Sequence, residues 1–234
     1  MYHSITFGDR NTWDDWHLIP QSRPLFNPPQ VKTAYVEVPG GDGILDLTTA
    51  LSGRPLYRNR SGSIEFIAEN GFRDWAFLYS EIMAYLHGKR MRAVLEDDPG
   101  YYYEGRFTVN AWKSDPNYSV ITIDYDVGPY KIATASSTSE WLWDPFNFLT
   151  GMILYYKDLP INGTRVVTVI GSAMPVIPEI LVSDTGFSME YEGVVYSLSK
   201  GFNRFDDVVI GDGGNLFTFT GVGTVTIEYS GGIL

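Results

Sequence analysis

The sequence predicts a mainly β protein in two parts: an α+β domain with a single flanking helix, then a helix-free β-sandwich. Three observations carry this expectation. Glycine and tyrosine are abundant, with 24 and 16 copies in 234 residues, and these residues suit turns and strands better than helix interiors. One stretch alone has a convincing helical period. Short strand-like runs punctuated by Gly, Asn, Asp and Pro fill most of the remainder.

The elements follow in order. NTWDDWHLIPQSRPLFNPP, residues 11–29, sets Trp13 and Trp16 three apart and is interrupted by Pro20, Pro24, Pro28 and Pro29. The prolines forbid a regular helix and favour stiff, extended backbone. The segment is therefore expected to dock, with its tryptophans anchored either in their own domain's core or on a neighbouring subunit. TAYVEV and SIEFIA are short strand candidates, and VPGGDGILDLTTALSG between them reads as a glycine-rich turn in a protruding loop. In GFRDWAFLYSEIMAYLHGKR the apolar residues Trp75, Leu78, Tyr79, Ile82 and Leu86 recur at helical spacing. That places the helix near 72–88, with Gly88 as its stop and His87, Lys89 and Arg90 suited to its C-terminal dipole. Next comes an antiparallel meander through MRAVLEDDPGYYYEGRFTVNAWKSDPNYSVITIDYDVGPYKI, with turns at Asp98-Pro99-Gly100 and Asp115-Pro116-Asn117.

Past residue 135 the texture changes. ATASSTSE has a linker composition, and the aromatic WLWDPFNFLTG follows it. The expected organisation is thus a domain over 1–135, a linker and aromatic connector over 136–158, and a sandwich over 159–234. Within the sandwich RVVTVIG, PEILVS, FSMEYEG, VVYSLS, VVIG, LFTFTG and VTIEYSG recur at short intervals with no helical period.

Composition excludes several functions. The net charge is −11, and neutralising phosphates needs clustered Lys and Arg, so binding to nucleic acid or an anionic membrane is disfavoured. Residues 1–135 carry 13 basic and 17 acidic side chains, against 4 and 11 in residues 136–234, so the two parts present different surfaces. With no cysteine there are no disulfides and no thiolate chemistry. No apolar run approaches the roughly 20 residues of a membrane span, and the first residues lack signal-peptide blocks, so synthesis in the cytoplasm is expected.

No residue pattern demands catalysis. His3, His17 and His87 are scattered, without metal-ligand spacing. Glu96-Asp97-Asp98 is the densest acidic cluster, but it precedes Pro99-Gly100, where acids are ordinary turn residues. Asp206, Asp207 and Asp212 do not have the helix-loop-helix calcium spacing. Gly40, Gly41 and Gly43 fit neither the phosphate-loop nor the dinucleotide pattern. No enzyme, cofactor or metal site is expected. A carbohydrate-binding adhesin is the alternative, since sandwiches often bind sugars, yet all six tryptophans lie at or before Trp143.

Longer motifs carry a resemblance. NTWDDWHLIP with SRPLFNPP, VEVPGGDGILDLT, YLHGKRM, EDDPGYYYEGRF, ITIDYDVGPYK, WLWDPFNF, FDDVVIGDG and the terminal TVTIEYSGGIL together resemble the distal tail proteins of long, non-contractile-tailed phages and prophages of Gram-positive bacteria. The resemblance spans essentially the whole chain. It implies a virion structural protein of the tail tip, without catalysis. The implied fold is a tail-tube-like β-barrel or two-sheet domain with a flanking helix, followed by a galectin-like or carbohydrate-module-like sandwich. The implied assembly is a homo-hexameric ring between the major tail-tube protein and a tail-associated lysin or fibre protein. A tape-measure protein and DNA passing without specific binding would share its channel, and weak carbohydrate contact is the most that is implied for the sandwich. No arm for receptor-binding proteins is expected beyond the sandwich. Aromatic and arginine anchors are enriched in such contacts, so the interface candidates are Trp13, Trp16, Arg23, the Gly40-Gly41-Asp42-Gly43 loop, Trp141 and Trp143. Glu96, Asp97 and Asp98 are expected to help line the bore.

Overall fold

The computed structural model describes residues 2–68, 74–114, 118–139 and 156–234. Trp141, Trp143, the WLWDPFNF motif, the Asp115-Pro116-Asn117 turn and the expected first residues of the helix lie outside the described residues. The chain divides into two compact units, Met1–Lys131 with Leu234, and Ile132–Ile233. Among the described residues no helix is long and apolar enough to cross a membrane.

The first unit contains β1 (Ile5–Phe7), β2 (Arg10–Asn11), β3 (Leu18–Pro20), β4 (Tyr35–Glu37), β5 (Ile44–Asp46), β6 (Arg60–Ala68), α1 (Trp75–Leu86), β7 (Lys89–Leu95), β8 (Tyr101–Ser114) and β9 (Ser119–Val127). Its main sheet runs β2-β1-β7-β8-β9-β6-β3 with antiparallel neighbours. Alternate residues of each strand face one core: Phe7, Phe66, Phe107, Ile121 and Val127 point in, while Arg92, Arg106, Asp126 and Glu65 point out. The chain starts α1 with Asp74, whose carboxylate accepts the Phe77 N–H at 3.1 Å. Leu78, Ile82 and Leu86 bury the helix on the sheet. His87 donates to Met83 O, and Gly88 then turns the chain with φ +71°. Lys89 Nζ caps the Ala84 carbonyl at 2.7 Å.

The end strands of the sheet, β2 and β3, are consecutive in sequence. The stretch between them joins the two sheet ends, because Leu18 N–H donates to Thr12 O at 2.8 Å while Thr12 N–H donates to Ile5 O at 2.9 Å. The sheet therefore curls round its core, and Trp16 stands inside the curl.

The second unit contains β10 (Lys131–Ala133), β11 (Leu159–Gly171), β12 (Glu179–Val182), β13 (Phe187–Tyr191), β14 (Val194–Leu198), β15 (Gly201–Asn203), β16 (Gly213–Glu228) and β17 (Gly232–Ile233). Its sheet runs β14-β13-β16-β12-β15, with β11 also along β16, and β10 pairs with β17. The sheet curls around Val169, Ile180, Met189, Phe217, Phe219 and Ile227. LFTFTG and VTIEYSG read as two strands in the sequence, but they form the single strand β16. Gly221 and Gly223 do not break it: their missing side chains make room for the Phe187 ring, whose atoms would lie 2.6 and 3.3 Å from a Cβ at those positions. VVIG, conversely, forms only the isolated bridge Val176↔Ile210.

The expected linker over 136–158 needs correction at both ends. Ser137 is buried, accepting the Tyr229 N–H at 2.9 Å and donating to Ile227 O at 2.8 Å. Tyr156 is a core residue whose hydroxyl donates to Thr168 O and accepts the Ile170 N–H, both at 3.0 Å. Ser137, in a stretch that looks like a loose connector, thus bonds β16 and the residue that follows it.

Candidate assembly surface

The proline-rich segment near the start divides into three pieces with different work. Residues 11–17 form a tight turn: the Asn11 carboxamide oxygen accepts the N–H groups of Trp13 and Asp14 at 2.8 and 3.1 Å. Asp15 accepts the Asn11 N–H and pairs with Arg10, both at 2.8 Å. This geometry turns Trp16 into the core, 1% exposed, against Tyr85. Trp16 is therefore a plug of its own domain, not a surface anchor. Trp13 sits at the surface, its indole stacked on Tyr2 at 3.7 Å and flanked by His17 at 4.8 Å.

Residues 21–27 form a strap over the sheet. Pro24 and Phe26 are buried, with the Phe26 ring 4.2 Å from Tyr103 and 4.7 Å from Tyr125. Asn27 N–H donates to Tyr125 Oη at 2.9 Å, and the buried Arg60 donates to Asn27 O at 3.1 Å and Pro129 O at 2.8 Å. Arg23 Nε reaches Asp97 Oδ2 at 2.8 Å, yet the arginine remains 64% exposed.

The acids expected to help line the bore fasten distant segments of their own unit. Asp97 accepts from Arg23 and, at 2.9–3.0 Å, meets His3 Nδ1; Glu96 accepts the Ser4 N–H at 2.8 Å; Asp98 pairs with Lys131 at 2.5 Å. The His3 hydrogen bond, opposed by desolvation and helped by Arg23, holds the Asp97 carboxyl below the ordinary carboxylate range. The Ser4 backbone bond does the same for Glu96, again against desolvation. The His3–Asp97 pair spans 94 positions, so no local sequence signal could have shown it.

Residues 28–59 form an arm. Its distal part is the β4–β5 hairpin, with Tyr35↔Asp46, Val36↔Leu45 and Glu37↔Ile44 as its pairs. Its root is tied by Lys32 N–H to Leu56 O and Arg58 N–H to Gln30 O, both at 2.8 Å. The Gly40-Gly41-Asp42-Gly43 candidates make its tip, where Gly40 and Gly43 take φ +78° and +85° and Gly41 N–H donates to Val38 O. No residue from Asn27 to Asn59 is buried, and Tyr35, Val36, Val38, Ile44, Leu45 and Leu51 all stand exposed. A two-stranded hairpin is marginal in water by itself, and apolar side chains on both faces leave it no core. This arm, not the tryptophan pair, is the largest unpartnered apolar element in the described part of the first unit.

The interface candidates thus scatter. Trp16 is interior, Trp13 is capped by neighbouring rings, Arg23 lies on the strap and Gly40–Gly43 lie at the arm's tip. Among the described residues no group of three or more His, Cys, Asp or Glu is placed to hold a metal ion. Asp207 accepts the Tyr196 hydroxyl at 2.7 Å. The Asp-Gly-Gly-Asn stretch is organised by Asn215, whose side chain bonds Gly211 N–H at 3.0 Å and the Gly211 and Gly213 carbonyls at 2.9 and 3.1 Å.

No family model and no curated protein matches the sequence. Among solved structures it matches the crystal structure of the SPP1 Dit (gp 19.1) protein, described as a paradigm of the hub adsorption apparatus in Gram-positive-infecting phages. The TM-score is 0.64 and the identity 11%, over 99% of each chain. Such an identity speaks for the backbone path and not for particular side chains. Over nearly its whole length, this chain has the fold of SPP1 Dit.

Proposed function

We propose that the protein is a structural component of a phage tail tip, a hub that assembles from copies of itself and has no catalytic role. The observation that carries this reading is the full-length likeness to a hub protein of a phage adsorption apparatus. The exposed arm supports it independently, because an apolar hairpin with no seat on its own domain calls for another protein surface.

In this reading six copies form a closed ring at the distal end of the tail, between the major tail-tube protein and a tail-associated lysin or fibre protein. The tape-measure protein and DNA pass through the centre without specific binding. Closed symmetry suits a chain whose arm and receiving surface differ, since such heterologous contacts end only when a ring closes. The pI of about 4.6 agrees with a channel past which phosphates slide without sticking. The carbohydrate-binding alternative has less support: Phe202 is the one exposed aromatic among the described residues of the second unit. Mass measurement and negative-stain imaging of the purified chain test the proposal. Ring particles of six subunits are expected, and a strict monomer at every concentration and in the presence of tail-tube protein would overturn it.

A further inference from the structure

The first unit's sheet has one place where its backbone is left open. β6 pairs with β9 along all nine residues, but on its other side β3 covers only Phe66, Ile67 and Ala68. The rest of that side is touched at two points by the strap: Gln21 N–H donates to Glu65 O at 2.9 Å, and Asn27 Nδ2 donates to Ser61 O at 3.0 Å. Strand geometry alternates every two residues, so Ser63, between these two, points its N–H and C=O to the same side. Between the contacts the strap bows away, leaving a groove of about 440 Å³ with Ser63, Ile64 and Glu65 on one wall and Gln21 to Leu25 on the other. Leu25 stands beside it, 70% exposed, between the buried Pro24 and Phe26.

We infer that this groove receives the β4–β5 hairpin of a second copy by strand addition to β6. The inference rests on the self-assembly reading above and names the seat. Each partner has what the other lacks. The hairpin has two free strand edges, three residues in each strand and apolar side chains on both faces. The groove has an open edge of similar length and an exposed leucine. A strand added there satisfies the Ser63 amide and carbonyl with main-chain bonds, while pockets beside it take alternate side chains. Charge also favours the match. The hairpin from Tyr35 to Asp46 carries Glu37, Asp42 and Asp46 and no Lys or Arg, with Lys32, Arg54 and Arg58 nearer the arm's root, and the groove brings Arg23, exposed although paired with Asp97. Glu65 opposes, so the acids must approach along the strap wall. Donor hairpin and acceptor groove are different surfaces of one chain, the arrangement that propagates head to tail.

The chain has no cysteine, which makes cross-linking clean. The single variants Leu25→Cys and Ile44→Cys are mixed under oxidising conditions, with Val195→Cys, an equally exposed position in the second unit, replacing Leu25→Cys as control. Amide exchange at Ser63 is followed in the unmodified protein at low and high concentration. The expected result is a disulfide-linked dimer in the Leu25/Ile44 mixture and not in the control, with slower Ser63 exchange on assembly. Oligomers that form without that cross-link and leave Ser63 exchange unchanged would overturn the seat alone, as when another tail protein fills the groove. Equal cross-linking in the control would also overturn it. A chain that stays monomeric at every concentration and with tail-tube protein present would overturn the assembly reading, and the seat with it.

Discussion

Single residues in this chain mostly act by joining segments distant in sequence. Asp97 ties His3 and Arg23 to the turn between β7 and β8. Its carboxyl is held below the ordinary range, so the unfolded chain binds the proton more tightly than the folded one. The stabilisation is then fully present above the unfolded value of about 3.9 and is lost as pH falls through the lower folded value. Thermal melts between pH 5 and 2 should therefore show the wild type losing more stability than Asp97→Asn, and parallel curves would count against the assignment. Trp16 acts by volume. Trp16→Ala should cost about 3–5 kcal/mol of first-unit stability, as large-to-small core changes do. Trp13→Ala, at a surface stack, should cost far less by the same denaturation measurement. Gly8 shows a tighter constraint: it has φ +63°, and the Tyr85 hydroxyl would be 2.6 Å from an added Cβ. That hydroxyl donates to Phe7 O at 2.8 Å and also bonds the Asp9 carboxylate.

At the scale of elements, legibility depended on how local the cause was. The helix was readable because periodicity and a glycine stop are local: the buried Leu78-Ile82-Leu86 line and Gly88 lie within 11 residues of one another, whereas the Asp74 cap emerged only in the structure. The strands of the meander were readable by alternation, since Ile121, Ile123, Tyr125 and Val127 all face the core. β16 was misread as two strands because Gly-Val-Gly looks like a turn until the Phe187 ring, more than 30 residues away in the chain, is placed over it. The strap was readable as extended, from its prolines, and Trp16 takes the own-core place that was one of the two expected for the tryptophans, while Trp13 stays at the surface. Pro24 and Phe26, which carry no conspicuous signal in the sequence, seat the rest of the strap.

For the whole molecule the arm is the informative feature. Since nothing from Asn27 to Asn59 is buried, replacing the hairpin from Val36 to Leu45 with a short turn should leave the circular-dichroism spectrum and melting temperature nearly unchanged. Assembly should be lost, with only monomer in light-scattering chromatography. A variant that unfolds would show that the arm supports its own domain instead, and a variant that still assembles would place the contacts elsewhere. Sequence alone was enough for the β-rich class, the helix over Trp75–Leu86, most of the stretches that pair and the absence of thiol chemistry. These follow from composition and short-range periodicity, which each segment carries alone. Only the tertiary structure decided that the β2–β3 turn closes the sheet, that Glu96, Asp97 and Asp98 are fastenings, and that β6 keeps an open edge. Those facts depend on which distant segments meet in space, and pairing across separations from 33 to 94 positions leaves no mark on the local pattern of either partner.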